Sequence, residues 1–181
     1  MGDRLRGDMS ILEWLGLKAK EEDSTASGET EGLREIVREL DSMEPAQARY
    51  VASFAYLLSR VAFADLDISV EETAEMEQIV RRIGGMDEKQ ALLVVQMAKT
   101  HARLFGGTEN YLITREFNQM ASMDQKHALL RCLFAVSAAD DSISAVEDNE
   151  IKQIADELKV DRDVVGSLRA GFKDFLASLK D

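Results

Sequence analysis

Two carboxylates seven residues apart, Asp65 and Glu72, recur 75 residues later as Asp140 and Glu147. Acidic oxygens flanking one loop, together with backbone carbonyls, could share a hard divalent cation such as calcium, magnesium, manganese or zinc. The surrounding residues repeat too: Ala64-Asp65-Leu66-Asp67-Ile68-Ser69-Val70-Glu71-Glu72 returns as Ala139-Asp140-Asp141-Ser142-Ile143-Ser144-Ala145-Val146-Glu147. Between Val61 and Ile79, 9 of 19 positions match at that offset, far above the roughly one expected by chance, so the chain carries an internal duplication.

The same residues also have a purely structural reading. Ser69 and Ser144 stand where helix N-caps belong, with Glu72 and Glu147 three residues on, able to reach back to the cap's own backbone N–H. Ile68 and Ile143 precede the caps and would pin each loop down. Capping does not explain Asp65 and Asp140, which fall at the end of the preceding helix, where the helix dipole disfavours negative charge. Neither loop is an EF-hand: counting from Asp65, Val70 and Met76 stand where the glycine and the bidentate glutamate belong, and from Asp140 the residues are Ala145 and Ile151.

The elements that must position these residues are helices. The chain has one proline, Pro45, and its long segments space apolar residues at three and four positions, not by alternation. We expect an all-α fold: a compact domain of about seven helices built from two duplicated three-helix units with pseudo-twofold symmetry, plus a short N-terminal helix. The expected helices cover 33–43, 46–64, 70–83, 87–104, 111–120, 124–139, 145–158 and 164–179. Repeat 1 spans about 46–104 and repeat 2 about 124–179, within a domain at 32–181. Pro45 suits a first helical turn, Asp87 can cap, and Gly84-Gly85 and Gly106-Gly107 read as helix stops. In the second helix of each unit, Glu72-Met76-Ile79-Ile83 and Glu147-Ile151-Ile154-Leu158 fall on one line, each placing a carboxylate at the head of a core-facing stripe.

Ahead of the domain, residues 1–19 are expected to form a short amphipathic helix or arm with Trp14 among Ile11, Leu12, Leu15 and Leu17, and Arg4, Arg6, Lys18 and Lys20 nearby. It could dock in a partner's groove or rest on a membrane surface, or pack on its own domain. Residues 20–31 are acidic, lack an apolar period and read as a flexible linker, which argues against tight binding to anionic lipid.

Bulk properties narrow the function. The net charge of −12 and pI near 4.7 argue against nucleic acid as a partner, since its backbone would be repelled, and favour cations or basic protein surfaces. The longest apolar stretch, 51–64, is interrupted by Ser59 and Arg60, too soon to span a bilayer. The N-terminus lacks the long apolar run of a secretion signal, and the single cysteine, Cys132, suits a reducing compartment; we expect a cytoplasmic protein. His101 and His127 have no partners at zinc-ligand spacing. No motif calls for a cofactor: there is no phosphate loop and no Ser/His/acid set, so no enzyme is expected.

The paired A-D-x-x-I-S-x-x-E motifs, each joining two helices, resemble the TerB-like family (tellurite-resistance protein B) and the related N-terminal domain of the co-chaperone DjlA. The resemblance covers about 33–179. It implies a compact all-helical domain tied to tellurite resistance and stress responses, with metal sensing proposed. The family's motif has a glycine after the first Asp; here Leu66 and Asp141 stand there. Two functions follow: a non-enzymatic domain of stress or metal-ion response with Asp65, Glu72, Asp140 and Glu147 as metal ligands, or a protein-interaction or co-chaperone-like adaptor, binding through its acidic surface or the Trp14 helix, whose loops are purely structural.

Overall fold

The computed structural model describes residues 27–62, 69–105, 111–139 and 141–176. Within them the chain forms eight α-helices and no strand: α1 Ser27–Asp41, α2 Pro45–Ala62, α3 Val70–Arg82, α4 Glu88–Phe105, α5 Tyr111–Met120, α6 Met123–Ala138, α7 Ala145–Glu157 and α8 Arg162–Ala170. A 3-10 turn at Lys173–Phe175 follows. None of these helices is long and apolar enough to cross a membrane. The arm carrying Trp14 lies outside the described residues.

Local chemistry accounts for most boundaries. Pro45 opens α2 as expected, its fixed φ suiting the first turn. Asp87 accepts from the Gln90 amide at 2.8 Å and starts α4. The break after α3 needs its glycines: Gly85 takes φ +70°, and a side chain on Gly84 would collide with the Val80 carbonyl. After α7 the chain turns through Lys159, at φ +56°, while the Val160 amide reaches back to Ala155 O at 3.0 Å, a Schellman closure. α6 is capped by Ser122, not opened by Asp124, and Gln125 completes the capping box; the Ser-x-x-Gln spacing was present in the sequence.

The core sits around two helices that are buried on nearly every side. In α2 every residue from Val51 to Leu58 is buried, and α6 buries Leu129, Leu130, Cys132, Leu133, Phe134, Val136, Ser137 and Ala138. A helix apolar all round is a central one. Tyr50, Phe54 and Phe117 close one end, with the Tyr50 and Phe117 rings stacked at 5.5 Å.

The packing crosses between halves. α2 and α6 pack on each other, α3 packs on α6, and α7 packs on α2, while each half also keeps its own neighbours, α2 with α4 and α6 with α7 and α8. This reciprocity buries both halves in one shared core.

Two expectations are corrected. α1 begins at Ser27, inside the segment read as linker at 20–31; its second turn onward carries the apolar residues that dock it on α2 and α4, and the helix extends backward from them. The last helix does not run to 179. α8 stops at Ala170 with Gly171 as its C-cap, the poorest helix former after proline. The chain then leaves the helical path so that Phe172 stacks on Phe134 at 5.7 Å and Leu176 is buried beside Ile143.

Candidate functional site

The repeated loop builds two helix starts of the same design. At α3 the Ser69 side chain accepts from the Glu72 amide at 3.1 Å, and Glu72 Oε2 accepts from the Ser69 amide at 2.6 Å. At α7 the Ser144 side chain accepts from the Glu147 amide at 3.1 Å, and Glu147 Oε2 accepts from the Ser144 amide at 2.8 Å. Both are complete capping boxes, each opening a helix of 13 residues. Carboxylates in a first turn also meet the positive end of the helix dipole.

Asp65, Leu66, Ile68 and Asp140 lie outside the described residues. In the second copy the rest of the turn is defined. The Asp141 amide donates to Ala138 O at 3.0 Å, and Asp141 adopts φ +64°. That left-handed position is where the family motif carries glycine; aspartate tolerates it better than most side chains. Ile143 is buried and pairs through its backbone with Leu176 as an isolated bridge. It pins the turn as expected, but against Leu176, because the position that would complete a hydrophobic staple is Asp148.

The buried carboxylate of α7 is therefore one position beyond the expected one. Glu147 is half-buried in its cap, whereas Asp148 is only 4% exposed. Arg169 grips Asp148 with two hydrogen bonds, Nε to Oδ1 and Nη2 to Oδ2, both 2.9 Å. Lys152 Nζ adds an ion pair at 2.9 Å. Burial pushes the Asp148 carboxyl upward, but the hydrogen bonds and charges of Arg169 and Lys152 outweigh it, and the net shift is downward.

A second ion cluster joins the halves. Arg60, in the last turn of α2, has a side chain 8% exposed. Its Nε donates to Glu150 Oε1 at 2.8 Å, and its Nη1 donates to Glu157 Oε2 at 2.7 Å. Thr114 of α5 accepts from Nη1 at 3.4 Å. Glu150 and Glu157 stand seven residues apart on one face of α7, so a single guanidinium fork reaches both. Burial lowers the Arg60 pKa, and the Glu157 and Glu150 contacts more than reverse this. Glu157 in turn is raised by burial and carried below its ordinary value by Arg60.

Both clusters escaped the reading of the sequence. A signal existed for Arg60, a charge inside the longest apolar run, and for Glu150, which the repeat preserves with Glu75. Asp148 had none, because its counterpart in the first copy is Thr73. Thr73 Oγ1 donates to Ser69 O at 2.9 Å and accepts from Lys99 Nζ at 3.1 Å, so a cation from the following helix reaches this position in both copies.

Other reactive groups are quiet. Burial pushes the Cys132 thiol up to about 12, which keeps it protonated and a poor nucleophile. Tyr50 is likewise raised to about 12 by burial and by Cys132. His127 is half-buried on α6, with no hydrogen bond at its enclosed Nε2 among the described residues. Among those residues no group of three or more His, Cys, Asp or Glu side chains is placed to hold a metal ion.

Comparison with known protein families matches residues 51–170 to the family described as tellurite resistance protein TerB. The match runs from Val51 in α2 to the end of α8 and takes in both helix caps and both ion clusters. No curated protein and no solved structure matches the chain. With two thirds of its length matched and its described residues all helical, the chain belongs to the tellurite resistance protein TerB family.

Proposed function

We propose that the chain is a non-enzymatic, cytoplasmic TerB domain acting in the response to tellurite or metal-ion stress, with its two acidic turns as divalent-cation sites. Asp65 and Glu72 would serve one site, and Asp140 and Glu147 the other. What carries the reading is the twofold use of one cap: in both copies a first-turn glutamate is held in place by its cap through Oε2. A cation would take Oε1, the carboxylate of the preceding Asp and backbone carbonyls, all hard oxygen donors. Family membership supplies the stress context. Calorimetric titration with calcium, magnesium, manganese and zinc tests it. Metal-dependent heat in the wild type should vanish in Asp65→Asn/Asp140→Asn; no heat in the wild type refutes the cation sites.

The second reading is an adaptor, in line with the resemblance to the DjlA N-terminal domain, in which the turns are only structural. It is favoured by Val70 and Val146, which stand 82% and 76% exposed in the first turns of α3 and α7 on a strongly acidic chain. Exposed aliphatic side chains on an acidic chain suit a partner with basic and apolar residues. The acidic surface and the Trp14 arm are the two contact regions to separate. Affinity capture with Val70→Asp/Val146→Asp and with residues 1–30 removed would do so: a partner lost in one variant locates its surface, and an unchanged set of partners in both removes this reading.

A further inference from the structure

Ile143 of the second acidic turn is held down by the segment that follows α8, while Asp141 and Ser142 stay exposed. In the first half the third helix, α4, is 18 residues long; the corresponding α8 has 9 and stops at Ala170. The residues after it make a different structure, attached at two points, on α6 and on the turn, beyond a root held by the last turn of α8. At its root Arg169 holds Asp148 of α7. Phe172 stacks on Phe134 of α6, with the rings 17° from parallel. Leu176, 1% exposed, pairs with Ile143 of the turn itself. Gly171, Lys173 and Asp174 between these anchors are exposed.

We propose that Gly171–Leu176 is a releasable strap that holds the turn Asp141–Ser144 closed, so that the conformation of this turn is set by the C-terminal segment. Two features make the strap separable from the rest. The helices it crosses pack directly on each other, α6 on α7 and α7 on α2, so their contacts do not run through it. Its own regular structure is one 3-10 turn, the weakest helical form. The turn beneath has reason to move when freed: Asp141 holds a left-handed backbone, which aspartate tolerates better than most residues but still less easily than glycine. Release would uncover Ile143 beside Ser144 and Glu147, changing the turn at the entrance to α7. The inference stands whether the acidic turns bind cations or only cap helices.

The test uses the full-length chain with isoleucine methyls labelled for NMR. In Leu176→Ala and in Phe172→Ala, the Ile143 methyl should move toward its solvent-exposed position. Amide exchange at Asp141–Ser144 should quicken about 10- to 100-fold. Ile151 and Ile154, both fully buried in α7, should keep their wild-type positions. An unmoved Ile143 in both variants overturns the strap. So does equal disturbance of Ile143, Ile151 and Ile154, which would make the segment an inseparable part of the core.

Discussion

Helices α3 and α7 start from the same repeated sequence, have the same length and carry the same capping box, yet they sit in different electrostatic settings. At the head of α3 Ser69 is exposed, Glu75 is exposed, and Thr73 offers a hydroxyl, not a carboxylate, to Ser69 O and to the Lys99 ammonium. At the equivalent places on α7 Ser144 is half-buried, Glu150 grips Arg60, and Asp148 is sealed under Arg169. The capping residues recur in both copies, whereas the partners of the helix surface do not: α7 carries ion pairs to α2 and α8, with the Thr114 hydroxyl of α5 beside the first. What depends on a few neighbouring residues is shared, and what depends on distant partners differs.

The sharpest break in this comparison should come from Arg60. Removing one partner of an enclosed ion pair strands the others, and Arg60→Ala leaves two carboxylates facing each other; we expect a loss of about 3–5 kcal/mol in chemical denaturation. Glu75→Ala, at the place in α3 that matches Glu150, should stay within about 0.5 kcal/mol. Equal effects of the two would show that the halves are more alike than these contacts imply.

Asp148→Ala should follow, costing about 2–3 kcal/mol because the Arg169 guanidinium, 25% exposed, recovers part of its hydration. Thr73→Ala removes one neutral hydrogen bond, to Ser69 O, and one from the Lys99 ammonium at a half-buried position, and should cost about 1–2 kcal/mol, read from the same denaturation curves. The two caps come next: Ser144→Ala and Ser69→Ala should each lose about 1 kcal/mol, with Ser144 the larger because its cap is less exposed to water. If Ser69 proves the larger, burial of the cap is not what distinguishes the copies.

The smallest difference should appear in acid. Asp148 and Glu157 both titrate below their ordinary values of 3.8 and 4.5 in the folded protein. A depressed folded-state pKa contributes stability that is complete above the unfolded value and disappears as pH falls through the folded one. Wild-type stability should therefore decline below about pH 4.5. Asp148→Asn should flatten that decline in thermal melts taken between neutral pH and pH 2.5, a range of about the span over which carboxylates titrate.

Much of the helical order was legible in the sequence, because its causes are local. Ser69, Ser144, Pro45, Asp87 and the Gly84-Gly85 pair act within one or two helical turns of themselves. The resemblance carried by the duplicated motif also led to the right family. The end of α8 was missed because helical spacing continues past Gly171, and nothing near Leu176 in the chain announces that Ile143, 33 positions earlier, will hold it.

The amino-acid sequence by itself determined the all-helical class, the two capped turns and the acidic character of the chain, since periodicity, caps and charge depend on near neighbours or on composition alone. Only the tertiary structure decided which carboxylates are buried and what neutralises them. Arg60 reaches Glu150 and Glu157 across 90 and 97 residues, and Arg169 reaches Asp148 across 21. No spacing rule encodes such pairings, because they exist only once the core has brought α2 and α8 against α7, and because burial gives them their strength.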